Sequence, residues 1–388
     1  MTISMLPCAA EALVRGEPPP LARILERALE GRELTREEGV ALAEAGPEAV
    51  GPLAAVADEV RRGSVGDIVT YVVNRNINFT NVCVIGCKFC AFSAGPDDPD
   101  AYDLTLEEIA ARAAEAWRLG ATEVCVQGGL LRAMDGFHYR DILRAIRQAA
   151  PGIHIHGFSP MEVVHGAKKT GMPLSDYLAM LRDEGLGSLP ATAAEKLDDG
   201  VRRLLSHAKI AVGQWVDIIT AAHRLGIPTT STMMYGHMEE PAHWVNQLCL
   251  LRDIQKETGG FTEFVPLGFI HRNTQPFEEG QSRPGPSLEE HLKVHALARL
   301  LLRGRIDHIQ VSWIKLGREL SQRCLQAGAD DYGGTLMEES ISRLVGAAEG
   351  EYLSPDEIQA RIRETGRIPA ERDTLYRLLR VYPADGES

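Results

Sequence analysis

This sequence has no long apolar run, no long run of basic residues and too few cysteines for a small disulfide-bonded protein. No apolar run approaches the roughly 20 residues that cross a bilayer. Acidic residues outnumber basic ones by 54 to 41, with no long run of Lys or Arg, which argues against nucleic-acid binding. The first residues lack a basic start and include Glu11, so they form a poor signal peptide. We therefore expect a cytoplasmic protein with neither a membrane nor a nucleic acid as partner.

Cysteine occurs only seven times in 388 residues. Secreted disulfide scaffolds are short and rich in cysteine, and this chain is neither. Four of the seven are scattered singly along the chain: Cys8, Cys125, Cys249 and Cys324. We interpret these four as buried small apolar side chains, which is the common habit of free cysteine.

The other three cysteines share a C-x3-C-x2-C spacing, at Cys83, Cys87 and Cys90. Structural zinc sites and fully protein-ligated iron–sulfur clusters need four ligands, and no fourth follows at a suitable spacing. Both remain alternatives. A 4Fe-4S cluster with one open iron needs only these three, and an open position is what a catalytic metal site keeps. The motif therefore predicts a 4Fe-4S cluster whose fourth iron is left free for a ligand other than the protein.

Strand and helix patterns alternate from Val69 onward. Eight such units over about 270 residues predict an α/β fold, a closed (β/α)8 TIM-type barrel of parallel strands. An open doubly wound sheet is the alternative. The predicted strands are Val69–Phe79, Glu123–Val126, Ile153–Phe158, Gly187–Leu189, Pro228–Tyr235, Phe261–Phe269, Ile306–Trp313 and Ala329–Tyr332.

The chain divides into three predicted parts. Helical apolar spacing predicts an N-terminal helical extension over residues 1–65, with Thr35 and Glu38 as a capping box. The barrel core is predicted over residues 66–345. Residues 346–388 are predicted to be a C-terminal helical tail that frays toward its end.

Cofactor contacts are expected at the C-terminal ends of the strands, where barrels keep their active sites. Phe89, between two of the cysteines, can place an aromatic edge near an adenine. Two glycines end the second strand and allow close approach of backbone groups to a ligand. In the loop after the third strand, a carboxylate could lie over a sulfonium and a ribose, although a solvated Glu is the alternative. The candidates are Phe89, Gln127, Gly128, Gly129, Ser159 and Glu162.

Catalytic candidates come from strands 3 and 5. His156 lies nearer the mouth than His154, and Tyr235 and His237 follow the polar alternation of strand 5. Histidine is the side chain best suited to proton transfer near neutral pH. Barrel packing is the alternative reading for these residues. Further candidates by position alone are Glu263, His271, Gln310, Ser312 and Gly333–Thr335.

The cysteine motif, with an aromatic residue before its last cysteine and a strand before it, resembles the radical SAM superfamily. In that superfamily the glycine-rich turn after strand 2 meets the methionine moiety of S-adenosylmethionine. Five further stretches look like the second subunit of FO synthase, often called CofH. They are NRNINFTNVC-x3-CKFCAF, GGFTEFVPL, TTSTMMYGH, IQVSWIKLG and GGTLMEESISR.

The resemblance implies a radical SAM transferase of deazaflavin (FO) biosynthesis, with Cys83, Cys87 and Cys90 as cluster ligands. In that family, reductive cleavage of S-adenosylmethionine gives a 5′-deoxyadenosyl radical that takes hydrogen from tyrosine. The 4-hydroxybenzyl portion then adds to 5-amino-6-(D-ribitylamino)uracil. The resemblance also implies a reductant such as flavodoxin or ferredoxin, and leaves the first FO synthase subunit open as a partner.

Two menaquinone-pathway enzymes, aminofutalosine synthase and dehypoxanthine futalosine cyclase, are similar in the same motifs. The sequence also departs from the family pattern at Leu131-Arg132, Ala191 and Gly268, which end strands 2, 4 and 6. We expect these turns to decide which substrates the radical acts on. A paralogue with another substrate is therefore an alternative, and a non-catalytic iron–sulfur or zinc protein is a second one.

Overall fold

The computed structural model describes residues 9–16, 18–190, 192–337 and 352–383. The strands are β1 (Ile68–Val72), β2 (Asn74–Asn78), β3 (Glu123–Gln127), β4 (His154–Gly157), β5 (Thr229–Tyr235), β6 (Phe261–Gly268), β7 (Asp331–Gly334), β8 (Ile368–Arg372) and β9 (Leu378–Val381). The helices before the cysteine loop are α1 (Ala9–Val14), α2 (Pro19–Leu29), α3 (Arg36–Glu44) and α4 (Val50–Val65), with a 3-10 turn at Pro47–Ala49.

The remaining helices mostly follow the strands, as crossover connections do in a parallel sheet. They are α5 (Leu106–Arg118), α6 (His138–Ala149), α7 (Pro160–Thr170), α8 (Leu174–Asp183), α9 (Asp199–Leu205), α10 (Val212–Arg224), α11 (Pro241–Thr258), α12 (Gln275–Glu278), α13 (Leu288–Leu302), α14 (Trp313–Leu325) and α15 (Pro355–Arg363). The predicted capping box at Thr35 is formed, and Thr105 and Ser287 cap α5 and α13 in the same way.

The strands close into a ring of eight parallel positions. Strand β2 pairs with β3, β3 with β4, β5 with β6, and β7 with β1. Two short segments occupy the remaining positions of the ring. Residues 188 and 189 connect β4 to β5, and residues 309 and 310 connect β6 to β7, each through isolated parallel bridges. The predicted (β/α)8 barrel is therefore confirmed, and the open doubly wound sheet is excluded.

The first barrel strand differs from its prediction, because it is divided at Val73 into β1 and β2. The two halves have different neighbours. On one edge β1 pairs with β8, whereas β2 pairs with β3. An additional strand from the C-terminus therefore lies beside the start of the first barrel strand, at the N-terminal end of the barrel.

The N-terminal helices pack on the outside of the barrel, with α4 against α13 and α3 against α11. Polar contacts accompany this packing. The guanidinium of Arg252 donates to the carbonyl of Leu34 at 2.8 Å, and Lys256 forms an ion pair with Glu33 at 2.6 Å. These contacts attach the helical segment to the outer helices of the barrel.

The prediction of a helical tail is wrong for the described residues beyond α15, whereas residues 346–351 and 384–388 lie outside the described part of the chain. Strand β8 pairs in parallel with β1, and β9 returns antiparallel to β8. Arg367 anchors the start of this segment by an ion pair with Asp58 of α4 at 2.7 Å. We call residues 368–377 the strap, because this segment runs under the N-terminal end of the barrel. Its Arg372 is buried, with only 2% of its surface exposed.

None of the described helices is, by itself, both long and apolar enough to cross a bilayer. Two consecutive helical segments, Arg36–Glu44 and Pro47–Val65, are long and apolar enough only when they are taken together, and the angle between them is 112°.

Candidate active site

Two cavities open at the C-terminal ends of the barrel strands. The smaller one, of about 250 Å³, contains all three cysteines of the motif. The larger one, of about 310 Å³, reaches across the barrel to the segment at residue 310 and to β7. The residues that border both cavities are Phe89, Cys90, Gln127, Thr192, Ala193 and Glu195. The arrangement places a thiol-lined compartment directly beside a second, mostly apolar one.

The cysteine loop turns tightly beside the smaller cavity. Gly86 has a φ of +63°, which a residue without a side chain adopts readily, and the amide of Cys90 donates to the carbonyl of Cys87 at 3.0 Å. The hydroxyl of Ser206 donates to the sulfur of Cys87 at 3.1 Å. Burial raises the pKa of the Cys87 thiol to about 11, although Lys209 and Ser206 oppose that shift.

The donor set fits an iron–sulfur cluster with one open iron. Among the residues that the structure describes, no three His, Cys, Asp or Glu side chains are close enough to share a single metal ion. The three thiols instead border one cavity, as the ligands of a larger cluster would, and all three are partly exposed to it. Three cysteines leave the fourth iron without a protein ligand. The chemistry and placement of the donors therefore match the prediction from the motif.

The glycine turn after β3 lies against the cysteine loop. A Cβ atom at Gly129 would come within 2.2 Å of the carbonyl oxygen of Val82 and 3.0 Å of the Cβ of Cys83. At Gly128 it would come within 2.6 Å of the Phe79 ring. Both positions require glycine for this close approach, and with Gln127 they line the smaller cavity. The structure thus brings the predicted turn and the cysteines together.

Ser159 and Glu162 form a capping box at the start of α7. The Glu162 carboxylate also accepts a hydrogen bond from the amide of Gly128 at 3.0 Å, which ties this helix to the glycine turn. Glu162 is 1% exposed, and burial raises the pKa of its carboxyl to about 7. Both residues line the smaller cavity, so the structure places them beside the cysteines and gives them a clear positioning role.

A second layer of charge behind the cysteines was missed in the sequence. Glu195 borders both cavities and forms an ion pair with Lys209, whose ammonium lies 5.1 Å from the centre of the Phe89 ring. Arg202 lies 3.9 Å from the same carboxylate. Glu195 comes from the loop after the fourth strand position, Arg202 from α9, and Lys209 from the connection between α9 and α10. No sequence motif indicates this cluster, because the three charged side chains come together only in the folded structure.

Tyr235 was expected at the mouth, but its side chain points out of the barrel. Its hydroxyl lies 2.7 Å from Nδ1 of His291 on α13, and it does not border either cavity in the described residues. Along β5, Thr232 and Met234 line the larger cavity, so the residue of opposite parity must face outward. The alternation of the strand could have excluded Tyr235 from the sequence alone.

His237 also lies behind the cavity wall. It is fully buried, its ring packs edge-on against Phe269 at 6.0 Å, and its Nδ1 is 3.1 Å from the Glu239 carboxylate. Neither ring nitrogen has a hydrogen-bond partner of good geometry among the described residues. Burial lowers the pKa of His237 to about 4. It is therefore a neutral wall residue, and no contact with either cavity supports the expected catalytic role.

His156 lies below the cavities, in the interior of the barrel. Its Nδ1 is 2.6 Å from the hydroxyl of Ser188, which also bonds His154 at 2.7 Å. Burial lowers the pKa of His156 to about 4, so it is neutral there. The prediction that His156 is nearer the mouth than His154 is correct in direction, but the described structure does not bring it to either cavity.

The described residues of the unusual turns, Leu131, Arg132 and Gly268, do not line either cavity. Leu131 packs against the core, and the carbonyl of Arg132 accepts a hydrogen bond from Lys169. A Cβ atom at Gly268 would lie 2.8 Å from the His291 ring, so glycine here makes room for the partner of Tyr235. Ala191 lies outside the described residues. The expectation that these turns choose the substrates therefore gains no support from the described part of the structure.

The larger cavity contains several of the residues that were proposed only by position. Gln310, Ser312, Gly333 and Gly334 line it, whereas Glu263 lies beneath Gln310. The remaining wall is largely apolar and includes Met234, Val265, Leu267, Phe269, Trp313 and Ile314. A planar, mostly apolar ligand with few polar groups suits such a cavity.

Two family models match the chain. The radical SAM superfamily model matches residues 77–248, and the CofH/MqnC C-terminal region matches residues 258–384. A relative from Methanocaldococcus jannaschii, named 5-amino-6-(D-ribitylamino)uracil--L-tyrosine 4-hydroxyphenyl transferase, is 51% identical over 90% of this chain and 98% of its own length. The chain belongs to the CofH family of the radical SAM superfamily.

Membership of the CofH family and superfamily implies a 4Fe-4S cluster and S-adenosylmethionine. Longer relatives share the same region. The FO synthase of Streptomyces coelicolor is 50% identical over 89% of this chain, which spans only 40% of that protein. The FO synthase of Mycobacterium tuberculosis strain H37Rv is 50% identical over 92% of the chain and 42% of its own length. This CofH-family chain therefore corresponds to less than half of those enzymes.

Solved structures agree on the fold. Methylornithine synthase is 19% identical, with a TM-score of 0.70, over 89% of this chain and 97% of its own. The FeFe-hydrogenase maturase HydG is 16% identical, with a TM-score of 0.72, over 95% of this chain and 79% of its own. At such low sequence identities, these two structures support the fold of the CofH-family chain and nothing beyond it.

Proposed function

We propose that this chain is a 5-amino-6-(D-ribitylamino)uracil–L-tyrosine 4-hydroxybenzyl transferase of FO biosynthesis. The observation that carries the proposal is the pair of adjoining cavities, one lined by the three cysteines and one mostly apolar. The 51% identity to a relative with a corresponding name supports the choice of substrates. When bound, the 4Fe-4S cluster and S-adenosylmethionine supply a 5′-deoxyadenosyl radical.

The chain itself positions the reactants. Cys83, Cys87 and Cys90 would hold the cluster, while Gln127, Gly128 and Gly129 present backbone and amide groups to S-adenosylmethionine. Glu162 keeps the glycine turn in place through its hydrogen bond to Gly128. Phe89 stands on the wall between the cavities, where an aromatic face can pack against a nucleoside.

The apolar wall of the larger cavity keeps water away from a reactive substrate. Met234, Leu267 and Phe269 form part of this wall. Exclusion of water suppresses side reactions of radical species, which is one role of a closed site. Tyr235, His237 and His156 do not enter the proposed chemistry, because none of them borders a cavity in the described structure.

The experiment is anaerobic reconstitution with iron and sulfide, followed by S-adenosylmethionine, a reductant, tyrosine and the diaminouracil. We expect 5′-deoxyadenosine and an adduct that contains the 4-hydroxybenzyl group in comparable amounts. Cleavage of S-adenosylmethionine without the adduct would contradict the substrates and leave the reaction class standing. An iron-free protein after reconstitution would contradict the class.

The reaction also needs an electron source and a cellular setting. We include in the proposal a flavodoxin or ferredoxin as reductant and a cytoplasmic location. The first FO synthase subunit is proposed as a functional partner, because the longer FO synthases contain more than twice the length that this chain covers. A reconstitution in which purified flavodoxin replaces a chemical reductant tests the first of these points.

A further inference from the structure

The floor of the larger cavity is connected to the C-terminal strap through polar side chains, of which Glu263 and Arg372 are buried. Gln310 lines the cavity, and its amide nitrogen Nε2 donates to Oε2 of Glu263 at 3.3 Å. From below, Arg372 Nη2 donates to the same oxygen at 3.3 Å, and the hydroxyl of Tyr376 donates to it as well. One carboxylate oxygen thus receives donors from the cavity floor and from the strap.

The strap residues are held rigidly. Arg372 makes a paired contact with Asp331, with distances of 2.6 Å from Nε and 3.1 Å from Nη2. Its guanidinium carbon lies 3.9 Å from the centre of the Tyr376 ring. The other face of that ring stacks on His308 at 3.7 Å, with an interplanar angle of 8°. Tyr376 therefore lies between two planar groups, and its hydroxyl has a fixed direction.

This contact network decides which end of the Gln310 amide faces the cavity. A carboxylate oxygen that already accepts from Arg372 and Tyr376 also requires a donor from Gln310. The nitrogen of the amide is consequently turned toward Glu263. Within the described residues, no hydrogen bond reaches the oxygen Oε1, which is left to accept one from a ligand. The nearby Gly333 adds no side chain that would cover it.

We propose that Gln310 accepts a hydrogen bond from the phenolic hydroxyl of substrate tyrosine, and that the strap orients Gln310 for this through Glu263. The assignment rests on the proposed function. A neutral amide oxygen in a mostly apolar cavity matches a ring with one O–H at its far end. The amino-acid end of tyrosine then lies toward Gln127 and Glu195, on the wall shared with the cysteine cavity.

The consequence is selection of tyrosine over phenylalanine. Because a bound substrate covers this acceptor, an analogue without the hydroxyl leaves it unpaired and binds less well. Gln310 is the contact residue, and Tyr376 is a positioning residue that acts through Glu263. The strap, which lies at the opposite end of the barrel from the mouth, thereby contributes to specificity.

The test measures binding of tyrosine and phenylalanine by calorimetry, and the KM of each substrate, in three variants. Gln310→Leu should raise the Kd of tyrosine by about tenfold, which corresponds to the loss of one hydrogen bond. The Kd of phenylalanine should stay within about twofold of its wild-type value. Tyr376→Phe keeps the stacked ring and should raise the KM of tyrosine by about threefold at unchanged kcat. Tyr382→Phe is the matched control, because its hydroxyl contacts Glu371 at 3.2 Å and not Glu263.

If Gln310→Leu weakened the binding of tyrosine and of phenylalanine equally, the assignment would be overturned. An effect confined to the binding of the uracil substrate would overturn it as well. Thermal unfolding of each variant separates these outcomes from loss of the fold. A wild-type protein that cleaves S-adenosylmethionine but forms no tyrosine adduct would instead refute the proposed function, and the assignment would fall with it.

Discussion

The hydroxyl of Tyr235 and Nδ1 of His291 lie 2.7 Å apart on the outer side of the barrel. Burial lowers the pKa of His291 to about 3, so the imidazole is neutral and can accept the phenolic proton in a hydrogen bond. The pair joins β5 to α13 and leaves the cavities to other residues of the strand. It therefore has a structural role.

Substitution Tyr235→Phe should lower the free energy of unfolding by about 1 kcal/mol, since one buried hydrogen bond is lost and His291 loses its partner. The rate of adduct formation should stay within about twofold of wild type. Chemical denaturation and product quantification measure the two effects. A large loss of turnover in a fully folded variant would restore Tyr235 as a catalytic candidate.

Lys196 gives a prediction about pH. Its amine is fully buried and has no hydrogen-bond partner among the residues that the structure describes. Burial lowers its pKa to about 7, against the attraction of Glu239 and Asp198. His237 and Arg283 complete the charged or titratable surroundings of Glu239. Between pH 7 and about 10.5 the unfolded chain binds a proton at this lysine that the folded chain does not.

The stability of the wild-type protein should therefore rise with pH through that window relative to Lys196→Met. Between pH 7.5 and 9.5 the relative change should amount to about 2–3 kcal/mol, since each pKa unit corresponds to about 1.4 kcal/mol. Denaturant titrations of both proteins at pH 7.5 and 9.5 give the comparison. Parallel pH profiles would show that the amine stays charged in the folded state.

The strap gives a prediction about stability. Arg372→Met leaves Asp331 and Glu263 buried without their counter-charge, so the free energy of unfolding should fall by about 3–5 kcal/mol. Arg377→Met is the control, because the Arg377 side chain is 80% exposed and forms an ion pair with Asp373. Its effect should stay within about 0.5 kcal/mol. Similar losses in both variants would contradict the buried role of the strap.

The cysteine motif predicts metal content. Substitution of Cys83, Cys87 or Cys90 by Ala should reduce reconstituted iron to a small fraction of four per chain and remove the absorbance of the cluster. Cys324→Ala is the control, since that thiol is fully buried and away from both cavities. A Cys87→Ala protein with full iron content and S-adenosylmethionine cleavage would contradict the ligand assignment.

Local patterns in the sequence were sufficient for the barrel and for the cysteine loop. Most barrel strands carry an apolar signal of their own, although β7 (DYGG) does not. The three cysteines of one loop are close together before the chain folds. Side chains alternate between the two faces of β5. Because Thr232 and Met234 face the cavity, Tyr235 must face away from it. That information was available in the sequence and was overlooked.

Contacts between distant segments were beyond the reach of such patterns. Glu195 and Lys209 meet beside Phe89, which comes from another part of the chain, and their ion pair follows from the fold. The pairing of β8 with β1 joins residues 300 positions apart, and a five-residue strand gives little signal of its own. The role of Glu263 beneath Gln310 depends on that pairing.

The central claim is that this chain joins tyrosine to the ribitylaminouracil by radical chemistry. The most direct measurement is the mass of the product formed by the reconstituted protein from tyrosine labelled with carbon-13 in its ring. The account predicts a uracil adduct that carries all six labelled ring carbons, at a yield similar to that of 5′-deoxyadenosine. A uracil substrate recovered without any added label, while S-adenosylmethionine is consumed, would contradict it.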